Sequence, residues 1–185
     1  MLLVAITSMT NEVLMELPDV PAPLINLRMI KTTTDFCERT NAWQEESSHT
    51  GVDAQREYTL VKSTEGEIIK IMKVTIDDNE VALGNYELKD GNLCFPDYYV
   101  PNEGAAVVAT FSLIPNTNQV PDFFVSKYKK HLISGCVSSL MMMPKRPWTD
   151  YNASKLFEKD YFKGVGLELN RQANGGVGNV GGVQA

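Results

Sequence analysis

The chain is poor in the side chains that carry most enzyme and metal chemistry. Its 185 residues include only two histidines and three cysteines. So small a ligand stock argues against a multi-ligand zinc site, and three cysteines form no even disulfide framework. No apolar run reaches the ~18 residues that a bilayer span requires. The opening Met1–Ile6 is apolar but too short for a signal core, and it lacks a basic leader. The expected compartment is therefore a reducing cytoplasm, or a particle assembled there, which suits unpaired Cys37, Cys94 and Cys136. There is no Walker loop and no G-x-S-x-G elbow. No cofactor, no metal and no membrane partner is expected.

Hydrophobic residues make up 43% of the chain and charged residues 22%, which is ordinary globular composition. The formal charge is -6, a balance that disfavours non-specific nucleic-acid binding by the whole surface. That charge is unevenly spread. Residues 1–43 carry -2, residues 44–121 carry -8 and residues 122–185 carry +4. The middle is acidic and the end basic.

Two helices are expected first. Ser8 is placed to cap a short one, which the prolines at 18, 21 and 23 terminate. The same prolines can open a second helix, where Ile25, Met29, Thr32, Phe36, Thr40 and Trp43 recur at spacings of three and four. From residue 44 the apolar period changes to two. Strands are expected over 56–62, 68–76, 81–83, 86–88, 93–95 and 107–114, with turns at 64–67 and 77–79. Asp90-Gly91 is a strong two-residue hairpin signal, because both positions tolerate positive φ.

Helical period returns at Val120-Pro121-Asp122, with Phe124, Tyr128, Leu132, Cys136 and Leu140 four apart. Ser134-Gly135, Ser138 and Ser139 are small enough to admit a neighbouring helix. Met141-Met142-Met143 closes this helix; core packing is favoured for the run over an adaptable contact surface. Thr149 or Asp150 caps a last helix whose face is Ala153, Leu156, Phe157, Tyr161, Gly164 and Val165. Residues 171–185 hold five of the chain's 13 glycines and have no core of their own.

The expected fold class is α+β. Residues 1–43 and 120–170 form a helical bundle, 44–119 form an inserted antiparallel β-sheet or small sandwich, and 171–185 form a flexible Gly-rich arm. Sheet-first and separate-domain packings stay open, since a single sequence does not fix the pairing.

Few residues offer chemistry. Gly176–Gly181 matches G-x-G-x-x-G, but a dinucleotide loop follows a strand and opens a helix, whereas this one follows a helix and stands at the end of the sequence. Cys136 lies in the apolar stripe and reads as a small core residue, and His131 beside two lysines reads as a solvated helix residue; neither has a partner for nucleophilic catalysis. The stretch 123–149 carries Lys127, Lys129, Lys130, Lys145 and Arg146 and no acid. Charge-complementary contacts and a solvated basic face account for it equally.

Three passages carry a resemblance. They are Leu17–Ile25 leading into Asp35–Trp43, the strand set beginning Tyr58-Thr59-Leu60, and Val120-Pro121-Asp122 running through Met143–Trp148 to Phe157–Phe162. In this order the chain resembles the head-to-tail adaptor, or connector, proteins of tailed bacteriophages, in particular those of short-tailed phages. The resemblance implies a structural protein without catalysis: a ring, usually of twelve copies, docked on the portal protein, receiving tail nozzle or fibre proteins on its other face and continuing the DNA channel, with DNA only as passing cargo. It implies a portal-binding C-terminal arm, here Arg171, Gln172, Asn174, Val177, Val180 and Val183. Lys127, Lys130, Lys145, Arg146 and Trp148 are the candidate subunit or portal contacts. A stopper or terminator ring of the neck shares this composition, and a small hydrolase using Cys136 or His131 is the remaining alternative.

Overall fold

The structure is a computed structural model that describes residues 2–174. The Gly176–Gly181 motif and the arm residues Val177, Val180 and Val183 lie outside the described residues. In chain order the elements are β1 (Leu3–Ala5), a 3-10 turn (Ile6–Met9), α1 (Thr10–Glu16), α2 (Ala22–Thr40), β2 (Gln44–Thr50), β3 (Glu57–Thr59), β4 (Glu67–Ile76), β5 (Asn79–Glu80), β6 (Glu87–Lys89), β7 (Asn92–Cys94), β8 (Ala106–Ile114), β9 (Gln119–Pro121), α3 (Asp122–Met141) and α4 (Tyr151–Ala173). The fold is α+β with antiparallel sheets. It divides into two units, a helical one formed by residues up to Ala42 and from Pro115 on, and a β one over Trp43–Ile114.

In the helical unit, Leu17 and Pro18 stop α1, and Ser8 sits in the 3-10 turn rather than capping. Proline 23 falls in the first turn of α2, where its missing N–H costs nothing. Asn41 ends this helix in the left-handed region at φ 47°, with its N–H donating to the Cys37 carbonyl at 2.7 Å. The helix therefore stops three residues short of Trp43, which belongs to the β unit.

The expected stripe of α3 is buried throughout, from Phe124 to Leu140. Phe36 of α2 is its aromatic counterpart, edge-on to Phe124 at 5.9 Å and close to Tyr128 at 4.8 Å and Tyr161 at 6.0 Å. Close approach needs glycine at two points. A β-carbon on Gly135 would stand 2.5 Å from the Tyr161 ring and 2.7 Å from the Thr32 methyl, and one on Gly164 would meet the His131 ring at 2.4 Å. His131 is thus packed against α4, not solvated, and its Nδ1 lies 2.9 Å from the Asp160 carbonyl. Asp150 caps α4 through the N–H groups of Asn152 and Ala153, while Thr149 braces the preceding loop by accepting from the Arg146 N–H.

Several expectations shift. The β1–β9 pair, in register Leu3↔Pro121 to Ala5↔Gln119, brings residues 119–121 into the helical unit as a strand. Leu156, expected on the packed face of α4, is 72% exposed; Ser154 and Glu168 are buried in its place. Of the methionine run only Met141 is buried, and Met142 is exposed.

In the β unit the first sheet has strand order β2-β8-β4-β5 and the second β3-β7-β6. Gln44–Thr50, outside the expected strands, pairs with β8 along its whole length. Val81–Leu83 is not a strand, although Val81 is buried. The turns expected at 77–79 and at Asp90-Gly91 close β4–β5 and β6–β7; the first is confined to Asp77-Asp78, with φ of 49° and 64°, since Asn79 already opens β5, and the second has φ of 50° and 79°. The core of this unit gathers Trp43, Tyr58, Leu93, Phe95, Phe111 and Leu113. Buried Glu45 holds the 63–64 turn by accepting from the Ser63 N–H at 2.6 Å and from the Thr64 hydroxyl.

Candidate functional site

Residues 171–173, expected to begin a flexible arm, are helical instead. Arg171 and Gln172 lie in the last turn of α4, and Asn174 is its C-cap, its N–H donating to the Asn170 carbonyl at 3.1 Å. The helix persists past Asn170 because its final turn has partners that composition does not reveal. Gln172 Nε2 donates to the Thr40 carbonyl at 2.5 Å and to the Asn41 carbonyl at 3.4 Å. Those carbonyls belong to the C-terminus of α2, where backbone acceptors have no partner within the helix.

One turn earlier, Glu168 gathers the cations. Its side chain is only 2% exposed. It accepts from Lys127 Nζ at 3.1 Å and from Arg171 Nε at 2.9 Å, with a further contact to Arg171 Nη2. Burial alone would raise the Glu168 pKa. The bonds from Arg171 and Lys127 outweigh it and bring the carboxyl down to about 2. Burial, and then the neighbouring Glu168, push the Tyr128 phenol upward. The result is a charged knot that joins α3 to the end of α4, while Gln172 joins that end to α2. In the sequence only Lys127 and Arg171 stand out as its members. Glu168 gives no such sign, because a lone acid in a helix carries no signal of burial.

The remaining candidates do not converge on that knot. Lys130 Nζ reaches Asp160 at 3.6 Å with its side chain 80% exposed. Lys145 (φ 58°), Arg146 and Trp148 stand on the short loop between α3 and α4. Lys145 and Arg146 are exposed there, whereas the Trp148 indole N–H is buried without an acceptor among the described residues. Lys129, part of the same basic stretch, is bridged to Glu12 of α1. Three of the five basic residues of this stretch therefore reach acids on other helices, although Lys127 and Lys130 stay exposed, and Lys145 and Arg146 are exposed on the loop.

Cys136 is fully buried, and burial pushes its thiol up to about 12. A thiol held protonated in the core is no nucleophile at neutral pH. Cys37 is likewise buried and shifted upward. Among the described residues, no cluster of His, Cys, Asp and Glu could hold a metal ion, and no helix is long and apolar enough to cross a membrane.

No protein-family model matches this chain, and a comparison with curated proteins finds none that is significantly similar.

Proposed function

We propose that the protein is a head-to-tail adaptor of a tailed bacteriophage. In this reading, copies of the chain make heterologous side-to-side contacts that close into a ring, of twelve by the resemblance. The ring docks on the portal protein, continues the DNA channel and receives tail nozzle or fibre proteins on its other face. The protein works by assembly rather than by catalysis.

The observation that carries the proposal is the fixed end of α4. Arg171 and Gln172 are held by Glu168 and Thr40, so the end of α4 has a set position in the helical unit. Beyond Asn174 the sequence is rich in glycine and punctuated by Val177, Val180 and Val183. Residues 175–185 could extend at most ~40 Å as an arm, shorter than an arm starting at 171 would reach. Apolar side chains at that spacing can offset the entropy cost of ordering such a segment on a partner. The motif order in the sequence and the interruption of a helical unit by a β unit agree with this reading. Lys145 and Arg146, on open surface, are the basic contacts it favours.

The test is reconstitution with the portal protein, imaged by electron microscopy. A ring seated on the portal supports the reading, and no binding under assembly conditions overturns it. Truncation after Asn174 spares α4 and isolates the arm. It should leave the fold intact and weaken docking; unchanged affinity refutes the arm's role.

A further inference from the structure

The buried residues of α4 are Ser154, Tyr161, Gly164, Val165 and Glu168. Away from that packing, Leu156, Lys159, Lys163 and Leu167 recur at spacings of three and four and so share one face. All four are exposed. A lone exposed leucine is ordinary, but two on one helix face with lysines between them form a stripe that no described residue covers. The stripe carries no acid. Asp160 beside it turns to α3, accepting from the Ser134 hydroxyl at 2.9 Å and meeting Lys130 at 3.6 Å. The β unit has the opposite combination. Residues 77–103 hold seven acids and one base. Lys73 and Arg56 reach Glu80 and Asp97, while Asp78, Glu87, Asp90 and Glu103 form no ion pair among the described residues. Amid these acids stand two large apolar side chains, Leu83 at 84% and Tyr98 at 77% exposure. They share one tip, since the Tyr98 hydroxyl donates to the Gly84 carbonyl at 3.5 Å. Glu80 and Glu87 bracket the loop that carries Leu83.

We infer that the α4 stripe of one copy seats on the Leu83–Tyr98 tip of a second copy. Leu156 and Leu167 pack on Leu83 and Tyr98, and Lys159 and Lys163 face Glu80 and Glu87. Burial of the apolar side chains drives the contact, and the opposite charges select the partner and fix the register. Stripe and tip are different surfaces, so each copy offers one and accepts the other. Such a head-to-tail contact closes into a ring when its rotation allows. The inference deepens the assembly reading and rests on it only for the ring; the contact itself is measurable without the portal.

Sedimentation velocity on the full chain, carried up to roughly 1 mM to reach weak contacts, tests it. Association beyond a dimer is expected, and added salt should weaken it. Reversing the charges on one side, in Lys159→Glu with Lys163→Glu or in Glu80→Lys with Glu87→Lys, should weaken it at least about tenfold. Mixing the two reversed chains should restore it, because each surface then meets its opposite. Leu167→Ser should also weaken it, whereas Met15→Ser, exposed on α1 and outside both surfaces, should not. Every replaced side chain is exposed, and unchanged thermal melts by circular dichroism verify each fold. A chain that stays monomeric overturns the inference, as does association that the reversals leave intact or that mixing fails to restore. A monomer that instead binds anionic lipid vesicles or duplex DNA through Lys159 and Lys163 has another occupant and overturns it too. Reversal and rescue without portal binding would keep the contact and sink the adaptor reading. Rings that each reversed chain still forms on the portal would do the converse.

Discussion

The side-chain amide of Gln172 donates to the backbone carbonyl of Thr40 at 2.5 Å, joining the last turn of α4 to the last turn of α2 over a separation of 132 residues. It satisfies a carbonyl that has no acceptor role left inside its own helix. Replacing Gln172 by Ala should lower stability by about 1 kcal/mol, the usual net worth of such a bond. The same change should raise hydrogen exchange in the final turn of α4 more than in α3. Urea denaturation and exchange mass spectrometry measure both. Uniform exchange along the two helices would show that the contact does not hold the end of α4.

Glu168 makes stability depend on acid. Its folded carboxyl sits at about 2 against an ordinary 4.5, so the unfolded chain binds the proton more readily. The stabilisation is complete above pH 4.5 and is lost as pH falls towards 2. The difference corresponds to roughly 3 kcal/mol at neutral pH. Glu168→Gln should be less stable than the parent near pH 7 and should converge with it at the acid end of that window. Urea midpoints across the pH range decide this; parallel curves would remove Glu168 as the cause.

Gly135 and Gly164 are places where the helical unit has no room for a methyl group. Gly135→Ala sets a β-carbon against the Tyr161 ring and the Thr32 methyl. Helix propensity favours alanine by nearly 1 kcal/mol, but overpacking should win and leave a net loss of about 1–3 kcal/mol. Gly166→Ala, on the same helix as Gly164 and with open space where its β-carbon would stand, should be neutral or stabilising. Thermal melts should show a lowered midpoint for Gly135→Ala and an unchanged or raised one for Gly166→Ala.

All three cysteines are buried, and each thiol is shifted upward, mainly by burial. Thiolate is the reactive form. Native protein should therefore react with iodoacetamide far more slowly than denatured protein, and unfolding should release all three thiols. Fast native labelling of Cys136, followed by peptide mapping, would reopen it as a nucleophile.

Much of the fold is legible in the sequence because its signals are periodic and local. Phe124 to Leu140 lie four apart, and each ends in the core, since one face of α3 is covered along its whole length. Asp90-Gly91 turns as expected because its conformation depends on those two residues alone. The segment Gln44–Thr50 gives no such sign. It has no aliphatic or large aromatic residue, and it is a strand because β8 supplies its hydrogen bonds and Glu45 and Ser47 are buried against their own partners. The β1 strand is hidden for the same reason, its partner being more than a hundred residues away.

What the sequence determined by itself was the class of the fold, the order of its helical and β parts, the hairpin turns and the stripe of α3. These arise from spacing and from backbone preferences that act over a few residues. Tertiary structure decided where α4 ends and which charges are free. Glycine content after residue 174 announces a change of character, but whether the helix stops at 170 or 173 depends on Thr40 lying within reach of Gln172. Likewise Lys127 and Lys145 read alike as basic side chains. Only packing separates the one that is spent on buried Glu168 from the one left on the surface, because an ion pair is fixed by distance in space rather than by position along the chain.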